Sequence, residues 1–129
     1  MCGNCCTGPE GYVLFTEEEG RAIASRLKVP YEQFLSDFTK DTILGRSLKE
    51  RPTPFGLDCT FLDRDKVPGK AVCGIYQERP AQCRTWPFWP SLVKSRRAWD
   101  AAKRTCPGID SGRLVPPEQI RILRDKVNP

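Results

Sequence analysis

Seven cysteines and no histidine set the chemistry this chain can do. Three of them crowd into the start of the chain as Cys2-Gly3-Asn4-Cys5-Cys6, and the other four, Cys59, Cys73, Cys83 and Cys106, are spread over the second half. Thiolate is a soft ligand that selects zinc, copper(I) or iron–sulfur clusters, whereas calcium and magnesium want oxygen. A compact N-terminal cluster meeting distant cysteines would let a metal close loops of more than about fifty residues and turn binding energy into folding energy. Without histidine, a zinc site held entirely by protein must use cysteine alone or recruit Asp or Glu. In an extended chain Cys5 and Cys6 point in different directions, so they serve two metals or one of them lies outside the ligand shell.

Composition narrows the setting. A chain of 129 residues is expected to form one small domain over residues 1–129, large enough for a modest core and small enough to profit from a staple. Seven cysteines are too few for a dense disulfide scaffold and too many for chance burial, and the odd count leaves one thiol over. No stretch approaches the roughly 18 apolar residues of a membrane span, and no basic-then-apolar leader opens the chain. The expected location is therefore cytoplasmic, where clustered cysteines serve as metal ligands or redox catalysts more often than as disulfides. The formal charge of +5 has local concentrations at Lys94–Arg97 and Lys103–Arg104. A solvated helix face explains these, and arginines near a thiolate site would also offset its negative charge. Nucleic acid is a disfavoured partner, because no recognised module and no aromatic–basic alternation supports it.

The elements that must position the thiols are short. Tyr12–Phe15 reads as an extended segment, followed by a Thr16–Glu19 capping box that starts a helix running to about Lys28, with Ile23 and Leu27 inside. Pro30 opens a second helix, on which Tyr31, Phe34, Leu35 and Phe38 form one apolar stripe, and the two helices are expected to form a hairpin. Residues Asp41–Leu48, Cys59–Leu62 and Lys70–Cys73 read as strands, with turns at Pro52–Gly56 and Pro68–Gly69. Pro80 starts a helical turn to Arg84, and helices are expected at Ser95–Lys103 and Pro117–Lys126. The twelve prolines argue for a loop-rich second half. The expected class is α+β: a helical hairpin plus short strands and a loop-rich second half, stapled by cysteine-ligated metal.

These residues resemble the YkgJ-like CxxCxxCC cysteine-cluster family of zinc- or iron-chelating domain proteins. The resemblance rests on Cys2-Gly3-x-Cys5-Cys6, the Thr-x-x-Glu helix start and Cys59-x-Phe61-Leu62. It continues through Cys73-x-Ile75-Tyr76-x-x-Arg79-Pro80-x-x-Cys83-Arg84-x-Trp86-Pro87-Phe88 to Cys106-Pro107-Gly108-Ile109, and so covers nearly the whole chain. It implies that Cys2, Cys5, Cys6, Cys59, Cys73, Cys83 and Cys106 ligate metal, zinc or iron, the latter as an ion or an Fe–S cluster. The family motif begins one cysteine earlier, three residues before the position of Cys2, so seven of eight expected cysteines stand here. Either the start falls inside the motif, or the Cys2 amine supplies a ligand once Met1 is removed.

Three functions follow as expectations. The first is a cytosolic metal-binding protein, with the metal ion and an unidentified protein as partners. The second is an Fe–S oxidoreductase or electron-transfer protein, although no nucleotide fingerprint, P-loop or flavin motif accompanies it. The third is a zinc-stabilised adaptor for nucleic acid or protein. Hydrolytic triads that need histidine are excluded. Around the metal, Arg79 and Arg84 would balance thiolate charge while Trp86 excludes water. Trp89 and Trp99 are assigned to the core.

Overall fold

The computed structural model describes residues 2–129. The chain packs as two compact units, one running to Pro80 and the other spanning Ala81–Pro129. Both helices and short antiparallel strand pairs are present, as an α+β chain requires.

Helix α1 (Glu17–Leu27) starts at the expected box. The Glu19 N–H donates to the Thr16 hydroxyl at 3.2 Å, and the Thr16 N–H donates to the Glu19 carboxylate at 2.9 Å. Each satisfies a backbone donor that helix geometry leaves over. Helix α2 (Tyr31–Phe38) follows at once, with Pro30 in the extended cap position rather than inside the first turn. Phe34 is fully buried, stacked against Tyr31 and Phe38 and meeting Phe15 edge-on at 5.5 Å. With Ile23, Ala24, Leu48, Phe61 and Ile75 it forms the core of the first unit, and Cys59 and Cys73 pack on the edge of that core.

The region Asp41–Leu48 departs from the expected single strand. It is a hairpin of β1 (Thr39–Thr42) and β2 (Gly45–Leu48), turned at Ile43-Leu44. A second hairpin, β3 (Glu50–Thr53) and β4 (Gly56–Cys59), follows directly and turns at Pro54-Phe55. The two turns share one construction. Thr42 and Thr53 each donate a hydroxyl to the carbonyl of the following glycine and accept an N–H from the residue between. A Thr-x-x-Gly sequence thus reverses the chain twice, eleven residues apart, because the threonine hydroxyl substitutes for a backbone partner. The expected strand Cys59–Leu62 breaks at Thr60-Phe61: Cys59 closes β4, and Leu62–Asp63 becomes β5, paired with β6 (Val72–Cys73). The Tyr12–Phe15 segment runs beside β2, where the Leu48 N–H reaches the Val13 carbonyl at 3.0 Å.

In the second unit α3 (Ala81–Arg84) is the expected turn after Pro80, and α4 (Pro90–Val93) is a short addition. Helix α5 (Arg96–Lys103) is capped by the Ser95 hydroxyl, and α6 (Pro117–Arg124) ends two residues before the expected Lys126. Trp99 stacks on Phe88 with ring centroids 6.0 Å apart and donates its indole N–H to Asp110. Among the described residues no helix is long and apolar enough to cross a membrane.

Candidate metal centre

Residues Asn4–Cys6 form a single 3-10 turn rather than an extended run. The turn undoes the divergence that alternation predicts for neighbouring side chains and brings Cys5 Sγ within 3.6 Å of Cys6 Sγ. A tetrahedral ion with zinc–sulfur bonds of about 2.3 Å sets its ligand sulfurs roughly 3.8 Å apart, so this pair has the spacing of one edge of such a site.

Gly3 fixes where the turn sits. Its φ of 71° suits glycine, and a Cβ there would come within 2.6 Å of the Ala71 Cβ and 3.3 Å of a Leu62 methyl. Gly3 thereby packs against Leu62 of β5 and against Ala71, the residue before β6, the strand that carries Cys73. Changing Gly3 to Ala adds both a clash and a left-handed strain of about 1–3 kcal/mol. We expect Gly3→Ala to weaken metal retention against a competing chelator about tenfold or more. Unchanged retention would show that the turn need not approach Ala71.

A second set of contacts straps the same segment to the β3–β4 hairpin. The Leu57 N–H donates to the Gly8 carbonyl at 2.8 Å, and the Gly11 N–H donates to Glu50. A Cβ on Gly56 would lie 2.8 Å from that Gly8 oxygen, so the approach requires glycine there too. Thr7 donates its hydroxyl to Asp58, a wholly buried carboxylate that also takes two bonds from Arg64 at 2.7 and 3.0 Å. Arg64 in turn lies 3.9 Å over the Phe55 ring. Burial of an ion requires such partners. The result is a cleft of about 270 Å³ with Cys5, Cys6 and Cys59 in its lining, and Glu50 beside them.

The electrostatics separate the thiols. A hydrogen bond from Cys6 holds the Cys5 thiol down to about 6 against the cost of burial, helped by its own backbone N–H and by the positive charge of Arg79. Burial pushes Cys59 up to about 11, opposed by a Phe61 backbone N–H and reinforced by the negative charge of Cys73, Glu50 and Cys5. Burial also raises Cys73, opposed by an Ile75 backbone N–H and by Arg79. Cys5, Cys59 and Cys73 therefore lie within one another's electrostatic reach. Arg79 faces two of them and is held by a bond from its Nε to the Tyr76 carbonyl and by stacking 3.8 Å over the Tyr76 ring. Arg64, which sequence reasoning passed over, is the cation that senses Cys6.

The remaining sites lie elsewhere. Cys2 is exposed, two residues before the turn. In the second unit Cys83 lies in α3 with Arg84 beside it at the helix end. Trp86 donates its indole N–H to Cys106 Sγ at 3.4 Å and packs edge-on against Trp89, whose own N–H is taken by the Gln82 carbonyl. Trp86 so contacts a thiol directly, while Trp89 is half-buried and held by its bond to the Gln82 carbonyl.

The donor set is chemically suited to a thiophilic ion: soft sulfurs, two of them at ligand–ligand spacing, with arginine charge nearby. Among the described residues no three His, Cys, Asp or Glu side chains already surround a single point. A family model, CxxCxxCC, described as "Putative zinc- or iron-chelating domain", matches residues 1–107. No solved structure matches the chain.

Proposed function

From a chain that belongs to the CxxCxxCC family, whose domain is described as zinc- or iron-chelating, we propose that this protein binds a zinc or iron ion through its cysteines. The first unit offers Cys5, Cys6, Cys59 and Cys73 for it. The observation that carries this reading is the 3.6 Å spacing of Cys5 and Cys6 beside a cleft that Cys59 also lines. That spacing suits two sulfurs on one metal atom, a lone ion or one iron of a [2Fe–2S] cluster, whereas each iron of a [4Fe–4S] cluster takes a single cysteine. The bound ion would supply a Lewis-acidic charge and the crosslink that a small core lacks. This chain's residues do the rest. Gly3 and Gly56 allow close approach, Arg79 and Arg64 offset thiolate charge, and Cys59 and Cys73 tie the ion to the core edge. Cys2 in the first unit, and Cys83 and Cys106 within the second, are proposed as further thiol ligands, with Arg84 and Trp86 beside the latter two. Metal binding is the role this arrangement supports best.

Titration supplies the test. Cys59 and Cys73 keep their protons at pH 7 when free and must lose them to ligate, whereas Cys5 has largely lost its own. Adding zinc to metal-depleted protein at pH 7 should release on the order of three protons per ion, from Cys59, Cys73 and the Cys6 thiol that donates to Cys5, so the apparent affinity should rise about three decades per pH unit. A pH-stat measurement reads this directly. Binding without proton release would mean that the buried thiols are not ligands.

A further inference from the structure

The Cys5–Cys6 pair has a second capacity that metal binding does not require. Cys5 is exposed and Cys6 half-buried, and their sulfurs stand 3.6 Å apart in a turn that Gly3 locks in place. Thiols that sense oxidants are accessible and poised beside a second thiol able to resolve the first oxidation product. Cys59 and Cys73 do not share this exposure, since both pack against the core.

We propose that Cys5 and Cys6 are a site of oxidative modification by hydrogen peroxide or a small organic hydroperoxide, closing to a disulfide between adjacent residues. In the first step the Cys5 sulfur attacks the O–O bond. An S–O bond forms, the O–O bond breaks, and the thiol proton leaves with the departing oxygen as water or alcohol, giving a sulfenic acid. In the second step the Cys6 sulfur attacks that sulfur, an S–S bond forms, the S–O bond breaks, and water leaves. Two thiols lose two electrons and one hydroperoxide gains them. Adjacent Cα atoms are about 3.8 Å apart, below the usual span of a disulfide, so the product is strained and readily reduced. Closing the pair removes two thiolates from the ion, which links oxidation to metal release. That last clause rests on the function proposed above; the disulfide itself does not.

The test treats the protein as purified and follows the tryptic peptide ending at Arg21, which carries Cys2, Cys5 and Cys6, with alkylation and fragmentation identifying Cys2 as the thiol left open. After exposure to hydrogen peroxide, that peptide should lose about 2 Da, regain it with dithiothreitol, and the loss should track metal appearing in solution. With Cys6→Ser as the single change, the 2 Da loss should vanish and a dimedone adduct should appear on Cys5. Crosslinking of this peptide to one carrying Cys59 or Cys73, direct passage to sulfinic acid, or no change with peroxide would each overturn the proposal. Disulfide formation in a protein that contains no metal would uphold it and sink the metal reading alone.

Discussion

Cys59→Ser should cost the protein most of its metal and on the order of 3 kcal/mol of stability, a fall in Tm of roughly 10 °C. Cys59 closes β4, lines the cleft with Cys5 and Cys6, and packs on the core edge. Serine is nearly isosteric, but its hydroxyl is a poor ligand for a soft ion. The loss should therefore come through the metal rather than through packing. Melting the variant and the parent in excess chelator separates the two, because the difference should shrink to about 1 kcal/mol or less once neither holds metal. A variant with full metal content and an unchanged Tm would remove Cys59 from the ligand set. Retained metal with a lower Tm would assign it to the core alone.

Arg64→Met should be the most damaging change outside the cysteines. It removes both hydrogen bonds from Arg64 to Asp58, a carboxylate with no exposed surface, and leaves that carboxylate with the hydroxyl of Thr7. Breaking a buried pair by deleting one member costs about 3–5 kcal/mol. The pH dependence identifies the cause. Arg64 first, and then Thr7, hold the Asp58 carboxyl down to about 2. A folded-state value below the unfolded one stabilises above the unfolded pKa and is lost as pH falls through the folded one. The pair's contribution, about 2 kcal/mol, is thus complete at pH 7 and fades between about pH 4 and pH 2. Urea midpoints should separate widely at pH 7 and roughly half as far at pH 3. A difference that is small at pH 7, or equal at both pH values, would show that the pair does not carry the strap. Because Thr7 follows Cys6 directly, the variant should also hold metal less tightly.

The parts of this fold that sequence made legible are those specified within a few residues. The Thr16–Glu19 box names its own helix start, and the Tyr31–Phe38 stripe declares an inner face through its spacing alone. The doubled hairpin was not legible as such. Asp41–Leu48 alternates well enough to pass for one strand, and Ile43-Leu44 carries none of the usual turn residues. Comparison with Thr53-Pro54-Phe55-Gly56 was the available signal, since the same threonine and glycine frame both reversals. At the site, the cysteines could be chosen from their chemistry, but their geometry could not. The Asn4–Cys6 turn depends on Gly3 meeting Ala71, nearly seventy residues away in sequence by rough count. Arg64 stands in a charged run, Asp63–Lys66, that looks like a solvated turn; only its distant partners, Asp58 and Phe55, reveal its place. Arg79 was expected beside the thiolates and does lie within electrostatic reach of Cys5 and Cys73.

The central claim is that these thiols hold a metal, and metal content per chain on anaerobically purified protein tests it most directly, read together with an ultraviolet–visible spectrum. The account predicts about one or more zinc or iron ions per chain, with iron visible as absorption from sulfur-to-iron charge transfer. Less than roughly a tenth of an ion per chain, with all seven thiols freely reactive in the folded protein, would contradict it.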